Sequence, residues 1–414
     1  MASEVGVKQA RFGEDSVPLH GTVAEGFEAV REVFAENLQN RDELGAACAV
    51  YYRGEPVVDL WGGYRDVAAK HPWEEETMVP VFSATKGMTA AATAVALSRG
   101  FFGLDDRVAD HWPSFGRNGK SAITVREILD HRAGLAAFDR RLTLEEVADQ
   151  EFLSELLAAK TPEWKPGTRY GYHAYTVGWY QSELLRRVDG RTSGQFFAEE
   201  VAEPLGLQFY IGLPEGIPES RLAELKPFSL LTLVKNLDKM PIRFVGPLLN
   251  PWSITSRAAL PLKGGIDAVL NPKLRSIEIP AENGIGTVRS IARVYGDLAT
   301  GGRRLGIDES TFAELTATPV SPRGGHRDVV LGIETAYSMG YSRPYGDFQF
   351  GSTPRSFGTP GAGGAFGFAD PDAELGFSYA PNRLGVHQKD DPREKALRDA
   401  VYRCLTREPS YRDR

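Results

Sequence analysis

The sequence predicts an α+β fold: an antiparallel sheet flanked by helices, with a mainly helical lobe inserted into it. Three observations point there. An amphipathic helix and a β-hairpin open the chain, β-type patterns and a helix close it, and helical periodicities fill the long middle. Residues 1–104 and 326–414 are therefore expected to form one α/β domain from both chain ends, and residues 105–325 a mainly helical lobe, with the active site between them.

Taken in order, "AEGFEAVREVFAENLQ" (24–39) sets Phe27, Val30, Val33 and Phe34 on one helical stripe. Next, "GAACAVYYRGEPVVDLWGGYRD" is two β-rich runs separated by Arg53, Gly54 and Glu55, which reads as a hairpin. From Ser83 onward, Met88, Ala91, Ala92, Val95 and Leu97 make an alanine-rich apolar helix suited to burial between layers, and Gly100 stops it. "TVREILDHRAGL", "EFLSELLAAK" and "TVGWYQSELLRRV" follow as helical patterns broken by Pro- and Gly-rich loops. From Val329, "VVLGIETAYSMGYS", "GAFGFADP" and "LGFSYAPN" return to β-type patterns, and "REKALRDAVYRCL" reads as a last helix.

Composition narrows the function classes. The 414 residues are 42% hydrophobic and 25% charged, with no 18-residue apolar run to cross a membrane. A net charge of −7 without a dense Lys/Arg block supplies no electrostatic reason to bind nucleic acid or an anionic membrane, so small substrates are the expected partners. "MASEVGVKQARFGEDSVPLHG" lacks the basic region and apolar core of a secretory signal, and a cytoplasmic location is expected. Cys48 and Cys404 are expected as buried thiols. The seven histidines form no HExxH, and no metal is expected.

"VFSATKGMTAAATAVALSRG" places Ser83 and Lys86 three residues apart at a helix start, on one face. A serine hydroxyl attacks well only when a base takes its proton, and lysine serves as that base only if its pKa falls far below ~10.4. Bringing it near neutrality costs about 4 kcal/mol, which burial against the alanine-rich helix can supply. A serine at a helix start also has backbone N–H groups and the positive dipole end beside it to support an oxyanion. One S-x-x-K match arises by chance about once in a chain this long, so its weight comes from its company.

That company is "ILDHRAGL" with His131 and Gly134, then "PGTRYGYHAYTVGW", then "FGTPGAGGAFGFADP". In this order the segments resemble the serine hydrolases that share the class C β-lactamase (transpeptidase-like) fold, among which the chain is most similar to the family VIII carboxylesterases. The resemblance spans about residues 20–405 and implies an S-x-x-K nucleophile and base at Ser83 and Lys86. Aligning Pro166-Gly167-Thr168 and Gly178 places the family's proton-shuttling tyrosine at Tyr172, with Tyr170 as the rival position. The resemblance further implies an oxyanion hole from the N–H groups of Ser83 and Ala362, and a deacylating water activated by a Tyr172 phenolate that Lys86 stabilises. Glycines let the "PGAGGAFG" strand approach a substrate closely.

Two positions depart from the family pattern. Ala174 replaces the asparagine of Y-x-N, and Thr359, in Thr359-Pro360-Gly361, replaces the lysine or histidine of the final triplet. Without a cation and a side-chain amide, charge-assisted hydrogen bonds to an anionic amide substrate are lost, which disfavours β-lactams and leaves uncharged esters. Ala174, Trp252, Thr359, Gly361 and Gly363 are the expected substrate contacts. "FVGPLLNPWSIT" and "ENGIGTVRS" are expected to overhang the cleft, with Trp252 as a candidate wall. His173 and His131 are read as structural, because no Asp partner or GxSxG elbow accompanies them.

The resulting expectation is a serine carboxylesterase working through a Ser83 acyl-enzyme without a cofactor. Acyl transfer to an amine or alcohol uses the same groups and is the alternative. A β-lactamase or a non-catalytic penicillin-binding-type protein is the further one. Oligomeric state is not encoded in any pattern found.

Overall fold

The computed structural model describes residues 17–227 and 242–407. Most of the amino-terminal stretch read for a secretory signal lies outside the described residues. Helix α1 (Glu28–Asn40) follows strand β1 (Leu19–Val23). The hairpin forms as read, from β2 (Gly45–Tyr52) and β3 (Glu55–Asp66). Arg53 and Gly54 both take positive φ, +54° and +80°, so a two-residue turn twists in the same sense as the strands it joins.

Short strands β4 (His71–Pro72), β5 (Val79–Pro80), β6 (Phe209–Ile211) and β7 (Gly284–Gly286) come next, and then the closing strands. These are β8 (Tyr337–Ser338), β9 (Tyr341–Ser342), β10 (Phe357–Pro360), β11 (Phe366–Asp370) and β12 (Leu375–Pro381). The main sheet runs β1-β3-β2-β12-β11-β10-β9-β8, with β4 attached to β3. All its pairs are antiparallel, and β12 pairs with β2 to join the end of the chain to its beginning. A second, three-stranded sheet, β5-β7-β6, ties the residues just before Ser83 to segments 209–211 and 284–286.

Strand alternation divides the core. Cys48, Val50, Phe368, Phe377 and Tyr379 face α1 and the carboxy-terminal helix Pro392–Arg407, where Cys404 is also buried. Ala47, Ala369 and Ala380 face the other way, toward the helix Val288–Ala299 and helix α2 (Thr85–Ser98). Every residue of α2 from Thr85 to Ala96 is buried, which its small side chains permit because neighbours can pack close on all sides. The helix 288–299 falls within the stretch read as lobe, yet it lies on the sheet. A Cβ on Gly376 of β12 would stand 2.2 Å from the Gly296 nitrogen, so glycine there sets how close helix and sheet come.

Two readings shorten. "TVREILDHRAGL" yields only Val125–Leu129, started by a Thr124–Glu127 capping box, and His131 at φ +56° turns the chain away. Of "VVLGIETAYSMGYS" only β8 and β9 are strand, because Asp328 takes the N–H groups of Val330 and Leu331 into a turn. Among the described residues no helix is long and apolar enough to cross a membrane.

Candidate active site

Three otherwise buried stretches each open at one residue. In 81–96 that residue is Ser83, in 170–181 it is Tyr172, and in 279–288 it is Glu282. All three meet at the amine of Lys86. Ser83 Oγ accepts a hydrogen bond from Lys86 Nζ at 3.0 Å and donates one to Glu282 Oε2 at 2.8 Å. Lys86 also donates to the Ala281 carbonyl at 2.7 Å, and its Nζ lies 4.8 Å from the centre of the Tyr172 ring. The Tyr172 phenol faces the Ser83 hydroxyl. Ser83, Lys86 and Tyr172 are thus brought together as the sequence reading required.

Glu282 was not anticipated. The segment "ENGIGTVRS", which begins with this residue, was expected to overhang the cleft, but the carboxylate itself was given no role. The signal was an isolated acid inside the otherwise uncharged "IPAENGIG".

Backbone geometry holds these groups in place. Phe82 adopts φ +49°, a region that bulky side chains rarely occupy, and the turn it makes presents Ser83 ahead of α2. Segment 280–284 is fastened to this turn and to α2. Val81 N–H donates to the Gly284 carbonyl at 3.0 Å, and Gly284 N–H donates to Thr85 Oγ1 at 2.8 Å. Thr89 Oγ1 donates to the Pro280 carbonyl. The Asn283 side chain closes the loop from the other side, accepting the Ile279 N–H at 3.0 Å and donating to the Leu274 carbonyl at 2.8 Å.

Tyr172 is held between rings, 5.0 Å from His131 and 5.9 Å from Tyr337 between ring centres. Its backbone N–H is bound by Asp328, which also accepts the Tyr337 phenol at 3.1 Å. The rival Tyr170 is fully buried, with its hydroxyl directed at the Val320 carbonyl. Both histidines are committed to structure. His173 bonds the Gly171 carbonyl through Nδ1 at 2.6 Å and accepts the Leu135 N–H at Nε2, while His131 Nδ1 accepts the His173 N–H at 3.0 Å. Burial pushes His173 down to about 4, so it stays neutral and is no general base near pH 7.

Burial also dominates the electrostatics of the cluster. It drives Lys86 below the ordinary lysine range, opposed by the charge of Glu282. The same desolvation drives Glu282 above the ordinary carboxylate range, opposed by Lys86 and then by the Ser83 hydroxyl. Tyr172 is raised far above its usual value by burial first, with Ser83 opposing and Glu282 and Asp328 adding to the rise. This shift favours the protonated phenol. Burial thus weighs against the phenolate that the resemblance implies: Tyr172 can pass a proton on, but ionising it in this site is costly.

The glycine-rich segment divides by residue. Gly361 packs on the Ser83 turn so closely that a Cβ would stand 2.2 Å from the Val81 carbonyl oxygen and 3.1 Å from the Ala84 nitrogen. Ala362 follows it, exposed, in a turn that touches the Ser83 turn. Gly363 instead packs on Leu384 at φ +86°, which removes it from the expected substrate contacts. Thr359 is buried, with Oγ1 toward the Tyr295 phenol and Gly87, so its hydroxyl turns into the core and not toward substrate. Ala174 is likewise a core residue.

Trp252 is 83% exposed and lines a surface hollow with Asp139, Arg140, Arg141 and Arg257, so the structure does not make it a wall of the site. The wall is elsewhere. A cavity of about 240 Å³ adjoins the Ser83 turn through Phe82, lined also by Leu225, Val269, Leu270, Leu274 and Ile285 among others, with Glu282 on its surface. Its Arg275 is paired with Glu219 at 2.8 Å.

Comparison with known proteins bears on what this arrangement does. The family described as Beta-lactamase matches residues 30–402. The chain is 35% identical over 364 residues to Esterase/beta-lactamase LipL of Mycobacterium tuberculosis, covering 86% of this chain and 81% of that one. Among solved structures it is similar to a family VIII carboxylesterase, with 36% identity, TM-score 0.82, and coverage of 94% of this chain and 100% of that chain. It is also similar to EstA from Arthrobacter nitroguajacolicus Rue61a, with 32% identity, TM-score 0.79, and coverage of 94% and 99%. A penicillin-binding protein homolog from Caulobacter crescentus matches at 34% identity and TM-score 0.80, over 94% and 100%.

Proposed function

We propose, for a chain that belongs to the Beta-lactamase family, that it hydrolyses carboxylic esters through an acyl-enzyme on Ser83. One observation carries the reading: the Ser83 hydroxyl lies 3.0 Å from an almost fully buried lysine amine and is hydrogen-bonded to Glu282, a residue on the surface of the neighbouring cavity. As the neutral amine, Lys86 keeps its N–H bond to Ala281 and turns its lone pair to Oγ, taking the proton as Oγ attacks the ester carbonyl. The N–H groups of Ser83 and Ala362 receive the oxyanion. Tyr172, a phenol facing Oγ, relays the proton to the departing alkoxide, and water then releases the acid.

The choice of ester over β-lactam follows from the same surroundings. Thr359 turns inward, Ala174 carries no polar group, and Arg275 is already paired, so among the described residues no further side-chain cation besides Lys86 is arranged for an anionic substrate. The carboxylesterase and esterase relatives support this class. Brief exposure to p-nitrophenyl butyrate, followed by intact-protein mass spectrometry, tests it. A transient butyryl adduct is expected that Ser83→Ala abolishes, with no long-lived adduct from a penicillin. Full turnover by Ser83→Ala would refute the mechanism.

A further inference from the structure

We propose that Glu282 is the general base that hydrolyses the Ser83 acyl-enzyme. The inference rests on the acyl-enzyme reading above and assigns the second half of that reaction to a specific group. Three side chains surround Oγ and could take a proton from the attacking water. Lys86 is 2% exposed and lies beneath Oγ, capped by the Ala281 carbonyl, where water does not reach it. Tyr172 is shifted by burial toward the neutral phenol, which makes it a poor proton acceptor. Glu282 alone is both a proton acceptor and part of the cavity surface.

Its position changes meaning once the serine is acylated. In the resting enzyme the carboxylate accepts the Ser83 O–H at 2.8 Å. Acylation replaces that hydrogen with a carbonyl carbon, so Glu282 loses its donor. A carboxylate left without a partner in a desolvated wall binds a water from the cavity. The acyl carbon is bonded to the very oxygen Glu282 had contacted, so this water lies within reach of it.

The step balances. The water oxygen bonds to the acyl carbon while its proton passes to Glu282, and the carbonyl electrons move to the oxyanion. Collapse breaks the carbon–Oγ bond, Oγ takes the proton back from Glu282, and the acid leaves. That last transfer restores the Ser83–Glu282 hydrogen bond of the resting structure. The charged and titratable groups around Glu282 are Lys86, Ser83, Tyr172 and Tyr175, with Glu224 and Arg275 further along the cavity. Burial raises Glu282 and Lys86 opposes the rise. Deacylation should therefore rise with pH along a limb displaced above the ordinary carboxylate range.

The test compares wild type with Glu282→Gln and Glu282→Asp on p-nitrophenyl butyrate, in stopped flow and by intact mass. Glu282→Gln should keep a burst of about one p-nitrophenol per enzyme, which also shows that its site is folded. Its butyryl adduct should persist about 10²–10⁴-fold longer, the usual contribution of a general base. Hydroxylamine, which needs no base, should clear the gel-filtered adduct, Glu282→Asp should recover part of the rate, and the pH limb of kcat should vanish in Glu282→Gln. An adduct that decays within about threefold of wild type, or a burst slowed in the same proportion as kcat, overturns the assignment. If the wild-type adduct sits on a residue other than Ser83, the ester-hydrolase mechanism itself fails, before any Glu282 variant is made.

Discussion

The role proposed for Lys86 needs an amine that gives up its proton more readily than a lysine in water, and burial shifts Lys86 in that direction. Desolvation is the larger influence on it and the carboxylate of Glu282 the smaller, so the net displacement is downward. The sign fixes a pH dependence. The reactive form is the neutral amine, so kcat/KM, which reports the free enzyme, should rise with pH and level off below the range where an ordinary lysine titrates. Tyr172→Phe should lower kcat/KM by about 10²-fold and leave that limb in place, since the phenol relays the proton and does not set the charge of the amine. A limb that moved with the phenol would instead make Tyr172 the titrating base.

At the scale of elements, two close approaches build the site. The first is the lacing of segment 280–284 onto the Ser83 turn and α2, which brings an acid nearly 200 positions away in sequence to the nucleophile. The second is Gly361, just after strand β10, which rests on the Val81 carbonyl. Gly361→Ala inserts a carbon 2.2 Å from that oxygen, and the backbone on both sides must move apart. Because Ala362 moves with it, the oxyanion contact should lengthen. The expected result is a fall of about 10²–10³-fold in kcat with a much smaller change in KM, measured on p-nitrophenyl butyrate. A change in KM alone would place the glycine in substrate binding and not in oxyanion support.

For the whole molecule, the cavity that adjoins the Ser83 turn is the space into which the proposed acyl chain would extend. Its lining of Phe82, Leu225, Val269, Leu270, Leu274 and Ile285 predicts selectivity by chain length. Each methylene buried there is worth about 0.8 kcal/mol, or about fourfold, so kcat/KM should climb at most that steeply from acetyl to longer p-nitrophenyl esters and then level off. Leu270→Trp should flatten the climb and favour the shorter esters. Equal rates across the series in the wild type would mean that the acyl chain lies elsewhere.

Much of this was legible before any coordinates. Helix α1, the hairpin, α2 and the closing strands follow from periodicity and turn residues, and Ser83 and Lys86 meet because three residues make nearly one helical turn. Order along the chain, through the resemblance it supports, singled out Tyr172 over Tyr170, and the structure places the former beside Oγ. What local pattern could not determine is where distant side chains point. Thr359 and Gly363 sit in the expected strand region but face the core, and Trp252 stands in solvent away from the site. Glu282 reaches Ser83 only through long-range backbone bonds, which have no periodicity to read. The sequence alone therefore determined the main elements and the pairing of Ser83 with Lys86, since these depend on neighbours in the chain. Tertiary structure decided the third partner's protonation, the acyl cavity and the carboxylate, because burial and close approach are properties of packing.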